Sequence, residues 1–432
     1  MSPTFTSLEV RNYRLWATGA LVSNIGTWMG RVGQDWLVLT VLTAGSATAL
    51  GIVTGLQFLP FLVLAPWAGL IADRFSRRRI LLVTQSLLAL SSLLLGVLAI
   101  TGTAQLWQVY AIALFQGVAT AIDNPARQAF VSEMVPPDKL ANAVSLNSAS
   151  FNAGRLVGPG IAGLVIAAWG TGEALLLNTL TFVFVIVALL RLRVSELRPA
   201  PRAKGRGGIR EGFAYVKHRR DIQLVMVLVF VLGTFGMNFQ ITMALMATKV
   251  FDRGAGGFGL LGSIMAVGSL TAALLAARRS RPRLRVLLLS LVGFTVASAL
   301  AASAPTYWLF AASLVPVGLT ALTALTTANA MVQTRVAPEM RGRVMALYMA
   351  IFMGGTPVGA PLIGWIAEQF GPRWTIGIGS VAVGLSIIAV SIWLGRSENV
   401  RVSYESQRRP RMRVTSAPAP DRPTVPVPEP AR

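Results

Sequence analysis

The stretch "VPPDKLANAVSLNSASFNAGRLVGPGIAG" spans residues 135–163, and it decides the fold because the chain repeats it. It aligns without gaps with "VAPEMRGRVMALYMAIFMGGTPVGAPLIG", residues 336–364. Identical residues include three glycines, which are Gly154, Gly158 and Gly163 in the first copy. Repeated halves made of apolar segments are typical of membrane transporters, whose binding site lies between the halves near mid-membrane.

The composition is that of a chain in an apolar environment. Of 432 residues, 54% are hydrophobic and 13% are charged, whereas soluble domains carry about 25% charged residues. The net charge of +22 comes almost entirely from Arg, and these residues lie between long apolar runs. That distribution argues against a nucleic-acid partner, which would require a basic patch or helix face.

Several kinds of chemistry are excluded or disfavoured by the residues the chain lacks. It contains one His and no Cys, so disulfides, thiol catalysis and Cys-based metal sites are excluded. None of its four Lys follows a Gly, so it cannot form the phosphate-binding loop of ATP-driven proteins. We expect no cofactor, no metal and no enzyme activity.

Twelve apolar segments are long enough to cross a bilayer, which requires about 20 residues each. They lie at 15–42, 48–71, 80–100, 105–127, 140–168, 173–193, 222–247, 257–277, 285–302, 306–333, 343–368 and 374–394. Arg-rich loops alternate with loops that carry little charge, which places both termini in the cytoplasm. We therefore predict an all-α, multi-pass protein of the cell membrane, with twelve transmembrane helices in two pseudo-symmetric six-helix bundles.

The predicted domain boundaries follow from the loops. An N-terminal bundle (1–193) and a C-terminal bundle (222–396) are joined by an Arg-rich cytoplasmic central loop (194–221). Residues 397–432 are rich in Pro and Arg and are predicted to be a disordered cytoplasmic tail. The first apolar segment is too long for a signal peptide, so we expect it to be retained as a helix.

A candidate gating motif, "GLIADRFSRRR", follows the second apolar segment. It consists of Gly69, Asp73, Arg74, Arg77 and Arg78. Gly69 permits close helix contact, and Asp73 can face an Arg or a helix N-terminus and hold the cytoplasmic side shut. The alternative is a basic loop that only sets topology.

These residues carry a resemblance to the major facilitator superfamily, whose loop 2–3 signature is Gly-x-x-x-Asp-Arg-x-Gly-Arg-Arg. Ser76 replaces the second Gly here. Residues 121–163 look more narrowly like the branch of enterobactin exporters and macrolide efflux proteins, and 210–221 resemble its central loop. The segment 152–163 is similar to the helix 5 Gly-Pro motif of drug–proton antiporters. That motif is carried by Gly154, Gly158, Pro159 and Gly163.

The resemblance covers nearly the whole chain except the tail, and it implies the major facilitator fold and secondary active transport. The function it implies is proton-coupled export of an amphipathic small molecule, such as a drug, macrolide or siderophore, by alternating access. The implied partners are that molecule, protons and the lipid bilayer, and we expect a monomer. Ala113 stands where the superfamily's helix 4 motif places an Arg, so the chain departs from that motif at this position. An uptake carrier of the same fold and a non-transporting receptor or scaffold remain alternatives.

The proton-coupling candidates are charged residues inside predicted spans, where charge is costly and usually functional. Asp35 and Asp123 each have an Arg four residues away on the same helical face, Arg31 and Arg127. We predict Asp35 as the proton carrier. The alternatives are a static pair at Asp35 and a cytoplasmic gate at Asp123.

The substrate-cavity candidates are polar or Met side chains within spans. They are Asn24, Gln116, Asn152, Arg155, Asn238, Thr242 and Met353. Arg155 is either a contact to an anion or substrate or a helix-packing residue. The second half has almost no charge within its spans, so we expect it to form a largely apolar wall, with Met suited to promiscuous binding.

Overall fold

The computed structural model describes residues 3–198, 209–277, 279, 282–337, 340–397, 401–405 and 411–415. The chain divides into two compact units, Met1–Gly384 and Leu385–Arg432. The first unit contains both copies of the repeat and nearly all of the long helices.

Six long helices form the first half of the chain. They are α1 (Arg11–Trp36), α2 (Ala47–Arg74), α3 (Arg77–Ile100), α4 (Leu106–Met134), α5 (Leu140–Ala168) and α6 (Thr171–Leu190). A π-helical turn, Leu37–Leu42, extends α1. Ser46 caps α2 because its side chain accepts a hydrogen bond from the backbone N–H of Ala49.

The second half has more helical breaks. Its helices are α7 (Ile209–Lys217), α8 (Arg220–Val231), α9 (Phe239–Leu245), α10 (Ala255–Ala277), α11 (Leu284–Ser303), α12 (Tyr307–Arg335), α13 (Arg341–Gly354), α14 (Thr356–Phe370) and α15 (Trp374–Ser397). A π-helical turn, Leu232–Gly236, joins α8 to α9, and a second one, Met246–Val250, extends α9. Part of the predicted central loop is thus the helix α7, and residues 199–208 lie outside the described residues.

Within the described residues, ten segments are long and apolar enough to cross a membrane. The helices α1 and α4 are not among them. These two helices carry Arg31, Asp35, Asp123 and Arg127, and charged residues lower the mean hydropathy of a segment. The prediction of a helical multi-pass protein is confirmed, and the count of twelve stays a prediction.

Glycines of the first repeat copy bring α5 against α1. A Cβ at Gly154 would lie 2.7 Å from the backbone carbon of Asn24, and one at Gly158 would lie 2.6 Å from the Cβ of Trp28. Real side chains essentially never approach so closely, so only glycine permits this packing. The Gly-Pro motif therefore determines where Trp28 lies.

Glycines of the second repeat copy have the same role. Gly355 and Gly359 lie against Thr234, where a Cβ on either residue would overlap its atoms. Thr234 belongs to the turn between α8 and α9, the first long segment of the second half, as Asn24 belongs to the first helix of the first half. The glycines of the two repeat copies thus make corresponding contacts, each with the first long segment of its own half.

The two halves meet closely at one end of the molecule, here called the closed end. The third glycine of each copy lies there: Gly163 packs against the backbone of Ala255, and Gly364 packs against the backbone of Ala47. Here α5 runs along α10 and α14 runs along α2.

A carboxylate from one half also caps a helix of the other half at the closed end. Glu368, near the end of α14, accepts hydrogen bonds from the Ser46 hydroxyl at 2.6 Å and from the Thr48 hydroxyl at 2.7 Å. The backbone N–H of Thr48 donates a third bond, 3.0 Å long. The negative group thus satisfies free donors at the N-terminus of α2, where the helix dipole favours negative charge.

The second unit contains a short antiparallel strand pair. It consists of β1 (Arg401–Glu405) and β2 (Arg411–Thr415), with Arg401 opposite Thr415. Residues 398–400, 406–410 and 416–432 lie outside the described residues. The predicted disorder of the tail and the predicted boundaries of the four regions stay predictions.

Candidate functional site

A cavity of about 330 Å³, here called the central cavity, lies between the two halves. Its walls come from α1, α2 and α5 on one side and from α9, α10, α12, α13 and α14 on the other. Aromatic rings supply much of the surface: Trp28, Phe58, Phe151, Phe239, Phe258 and Phe352. Methionine side chains supply another part: Met237, Met243, Met265 and Met353. Such walls suit an apolar or aromatic ligand, because thioether side chains adapt to irregular shapes.

Two arginines line the central cavity, and both lie over the same indole ring. The guanidinium carbon of Arg31 is 5.1 Å from the centroid of Trp28, and that of Arg155 is 5.6 Å from it. Arg31 also lies 5.8 Å from the ring of Phe58. Both distances to Trp28 are within the range of cation–π attraction. Because Trp28 lies against Gly158, the glycine motif places the ring that orients both cations.

A second cavity, of about 240 Å³, lies mainly within the first half and is here called the polar cavity. The two cavities share lining residues, namely Trp28, Arg31, Phe58, Phe151 and Met353. Several polar side chains line only the polar cavity: Asn24, Gln34, Gln57, Gln116, Thr120, Asp123, Asn124 and Arg127. The division expected from the sequence, with polar groups in the first half and an apolar wall in the second, matches this arrangement.

Asp123 is buried and fully engaged. One carboxylate oxygen accepts hydrogen bonds from the Thr84 hydroxyl at 2.6 Å and from the Gln85 amide at 2.8 Å. The other accepts from Nε of Arg127 at 2.8 Å. The guanidinium of Arg127 also lies 5.5 Å from the ring of Trp16. These contacts tie α4 to α3 and hold the Asp123 side chain in place.

Asp35 is in a different situation. It is 3% exposed, and its Oδ2 has no hydrogen-bond partner among the described residues. Nε2 of the neighbouring Gln34 is likewise without a partner. Among the described residues, no Asp35 oxygen lies within 4.0 Å of an Arg31 nitrogen. The four-residue spacing therefore gives an ion pair between Asp123 and Arg127 but none between Asp35 and Arg31. Asp35 lines neither cavity, although Arg31 lines both.

The other cavity candidates divide into those that line a cavity and those that do not. Asn24 and Gln116 line the polar cavity, Arg155 and Asn238 line the central cavity, and Met353 lines both. Asn24 also donates to the Ser150 hydroxyl at 3.0 Å, and Asn238 to the backbone oxygen of Thr234 at 2.8 Å. Asn152 and Thr242 line neither cavity; they bond within their own helical segments, to the backbone oxygens of Ser148 and Asn238.

The gating motif connects elements of the first half where the structure describes its side chains. Nη1 of Arg77 bonds to Glu133 at 2.8 Å, and Nε of Arg78 donates to the backbone oxygen of Leu189 at 2.8 Å. These contacts tie the start of α3 to the ends of α4 and α6. Arg74 is exposed. The side-chain surroundings of Gly69 and Asp73 lie outside the described residues, so the gating role predicted for Asp73 stays a prediction.

Sequence reasoning missed three groups of residues. The aromatic walls of the central cavity were not singled out, because aromatic residues occur throughout the apolar spans. Three of the four cavity methionines were also missed, since only Met353 was among the candidates. The Glu368 cap was missed because its donors lie more than 300 residues away along the chain. The sequence signal that could have pointed to this cap is Glu368 itself, an acid near the end of a predicted span that has few other charges.

Two helical halves with corresponding glycine contacts around a shared cavity are typical of membrane transporters. The comparisons with known proteins agree. Residues 2–426 match the family described as "Transmembrane secretion effector" of the major facilitator superfamily. The chain belongs to this family.

Individual relatives are similar over most of their length. The chain is 27% identical to the staphyloferrin A transporter of Staphylococcus aureus, over 85% of this chain and 91% of that protein. It is 23% identical to macrolide efflux protein A of Streptococcus pyogenes, over 90% and 97% of the two chains. Among solved structures, the D-xylose–proton symporter has a similar fold, with a TM-score of 0.69, 14% identity, and coverage of 88% of this chain and 96% of that one.

Family membership confirms several predictions made from the sequence. The protein is a multi-pass transporter of the cell membrane, in the efflux branch of the major facilitator superfamily, and it is not an enzyme.

Proposed function

We propose that the protein exports an amphipathic small molecule by alternating access and that protons drive the export. In this proposal twelve helices cross the membrane, both termini are cytoplasmic, and the protein acts as a monomer. The closed end then faces outward and the central cavity opens towards the cytoplasm, where cargo would be loaded.

The central cavity at the interface of the halves is the observation that carries this proposal. Its walls come from both repeats, so rocking of one half against the other changes access to it. Its volume of about 330 Å³ is at the lower end of the range for small-molecule sites. Its aromatic and methionine walls favour an apolar body, as expected for a drug, a macrolide or a siderophore-like cargo.

The two buried acids differ in a way that supports Asp35 as the proton carrier. Asp123 accepts hydrogen bonds on both of its oxygens, and these bonds join α4 to α3. Asp35 has a buried oxygen without a partner, and a buried charge without hydrogen bonds is costly. Binding of a proton removes that charge. Arg31, one turn away, lines both cavities and would link the charge of Asp35 to the site.

Transport in inverted membrane vesicles with an imposed pH gradient tests this function. Such vesicles should accumulate at least one member of a panel of dyes, macrolides and siderophores, and accumulation should stop when the gradient is collapsed. Asp35→Asn should abolish gradient-driven accumulation, whereas Asp252→Asn should not. Asp252 is a suitable control because it is exposed and has a φ of 47°, a conformation that Asn tolerates.

Each alternative outcome has a distinct meaning. Gradient-driven accumulation that survives Asp35→Asn would remove Asp35 from the coupling step. Transport only in the opposite direction would identify an uptake carrier. A purified protein that binds panel compounds and moves none of them would indicate a receptor.

A further inference from the structure

We infer that the central cavity selects cargo that carries an anionic group, held between Arg31 and Arg155, with an aromatic or apolar body against the surrounding rings. This inference rests on the proposed export function, because it names the charge of the exported molecule. The ligand class is an amphipathic oxyanion, such as an aromatic carboxylate.

The first support is the charge of the cavity lining. Arg31 and Arg155 are the charged side chains among the described residues that line the central cavity, and the lining contains no Asp or Glu. Among the described residues, neither guanidinium lies within 4.0 Å of a carboxylate oxygen. Asp35, the nearest acid along α1, is buried away from the cavity. The site therefore presents two guanidinium groups that make no close contact with a carboxylate.

Arg127 provides a comparison within the same half of the chain. Arg127 lies in the same half, lines the polar cavity and also contacts an indole ring, that of Trp16. Its charge is matched by Asp123 at 2.8 Å. A cation within a membrane span is costly when it lacks a carboxylate partner, and an anionic ligand can be such a partner.

The second support is the position of the two cations. Both guanidinium groups lie over Trp28, at 5.1 Å and 5.6 Å from its centroid. Contact with the ring restricts both side chains before the ligand arrives, which lowers the entropy lost on binding. A planar guanidinium offers paired N–H donors that match the two oxygens of a carboxylate.

The third support is the composition of the remaining wall. Rings and methionines surround the cations, and the polar groups supplied by the second half are uncharged, including Asn238, Gln240 and Ser269. An anion without an apolar body would leave these walls in contact with water. The arrangement fits a molecule with one anionic end and one aromatic end.

Binding to the purified full-length protein in phosphatidylcholine nanodiscs tests the inference. The probes are 2-naphthoate, its neutral analogue 2-naphthylmethanol and its cationic analogue 2-naphthylmethylammonium, measured by isothermal titration calorimetry. Because a charge-assisted hydrogen bond is roughly twice as strong as a neutral one, we expect 2-naphthoate to bind about tenfold more tightly than the neutral probe. The cationic probe should bind most weakly.

Substitutions assign the selectivity to the two arginines. Arg31→Gln and Arg155→Gln should each weaken 2-naphthoate binding about tenfold and change binding of the neutral probe less than about twofold. Arg253→Gln is the matched control, because Arg253 also stacks on a ring, 5.1 Å from Tyr307, but is exposed. It should alter neither probe. Melting temperatures of the variants show whether each protein is folded, and retained binding of the neutral probe confirms an intact cavity.

The outcomes separate this inference from the proposed function. Equal affinity for the anionic and cationic probes, or unchanged 2-naphthoate binding in both Arg variants, would overturn the inference. If the inference fails and the vesicles still transport a neutral or cationic compound, the proposed export function stands without the selectivity for anions. Arg-dependent binding of 2-naphthoate in a protein that transports nothing would overturn the function alone.

A lipid headgroup could provide the same anionic chemistry, and a second membrane composition distinguishes this source. If the site serves a dissolved cargo, 2-naphthoate affinity should be similar in nanodiscs of phosphatidylcholine and of phosphatidylglycerol. A lipid would be shown to occupy the site if 2-naphthoate loses binding in phosphatidylglycerol nanodiscs and Arg155→Gln restores its affinity there to the level of the neutral probe. That result would overturn the assignment to dissolved cargo.

Discussion

Removal of the negative charge of Glu368 should loosen the closed end. Its carboxylate accepts three hydrogen bonds from Ser46 and Thr48 across the interface between the halves. Charge-assisted bonds are worth about 1.5–3 kcal/mol each when protected from water. Glu368 is exposed, and exposed charged contacts are worth only about 0–1 kcal/mol each. The cap should therefore contribute about 1–2 kcal/mol in total, and its weakening by Glu368→Gln should shift the ratio of closed to open molecules by up to about 5–30-fold.

Distances between spin labels at the closed end measure this shift directly. The chain contains no cysteine, so Thr101→Cys and Ser303→Cys create two unique labelling sites, one in each half. Both residues are exposed at the ends of α3 and α11. Electron–electron double resonance should show one dominant short distance in the starting protein and a larger long-distance population in Glu368→Gln.

Glu173→Gln is the matched control for this experiment. Glu173 is an exposed acid in the first turn of α6, within one half. An unchanged distance distribution in Glu368→Gln, or an equal change in Glu173→Gln, would show that the cap does not hold the halves together.

Three further substitutions test packing and polar contacts by thermal unfolding in detergent. Gly158→Ala should lower the melting temperature, because its new Cβ would lie 2.6 Å from the Cβ of Trp28, and overpacking of this kind costs about 1–3 kcal/mol. The control Gly342→Ala should leave the melting temperature unchanged, because Gly342 has open space around it. Equal effects of the two substitutions would contradict the packing argument. Asp123→Ala should destabilise the protein by about 3–5 kcal/mol, because it leaves a buried cation and two polar groups without their acceptor; an unchanged melting temperature would show that the network is not structural. Tyr13→Phe should cost about 1 kcal/mol, because it removes a 2.7 Å hydrogen bond to a buried backbone oxygen, and a more stable variant would refute that assignment.

The repeated sequence was the part of the fold most open to prediction. Gly154 and Gly158 align with Gly355 and Gly359, and all four lie at close helix contacts in the structure. Such positions are visible in sequence because close packing of membrane helices requires small residues at fixed spacing. The Asp123–Arg127 contact was also predictable, because residues four apart on one helix are neighbours.

Other features depended on contacts that spacing does not determine. Asp35 and Arg31 have the same spacing as Asp123 and Arg127, yet they make no ion pair among the described residues. Side chains of α3 complete the network around Asp123, whereas the structure describes no hydrogen-bond partner for Asp35 Oδ2. Which partners a buried group meets is decided by the neighbouring helices.

The sequence by itself determined an apolar chain of two related halves and the few charges placed within its spans. Those properties follow from composition and from periodicity along one segment, because a bilayer demands long apolar helices and tolerates few charges. Only the tertiary structure decided that Arg31 and Arg155 meet over Trp28 and that Glu368 caps the opposite half. These contacts join residues that are distant in sequence, and their geometry depends on how packed helices bring distant side chains together.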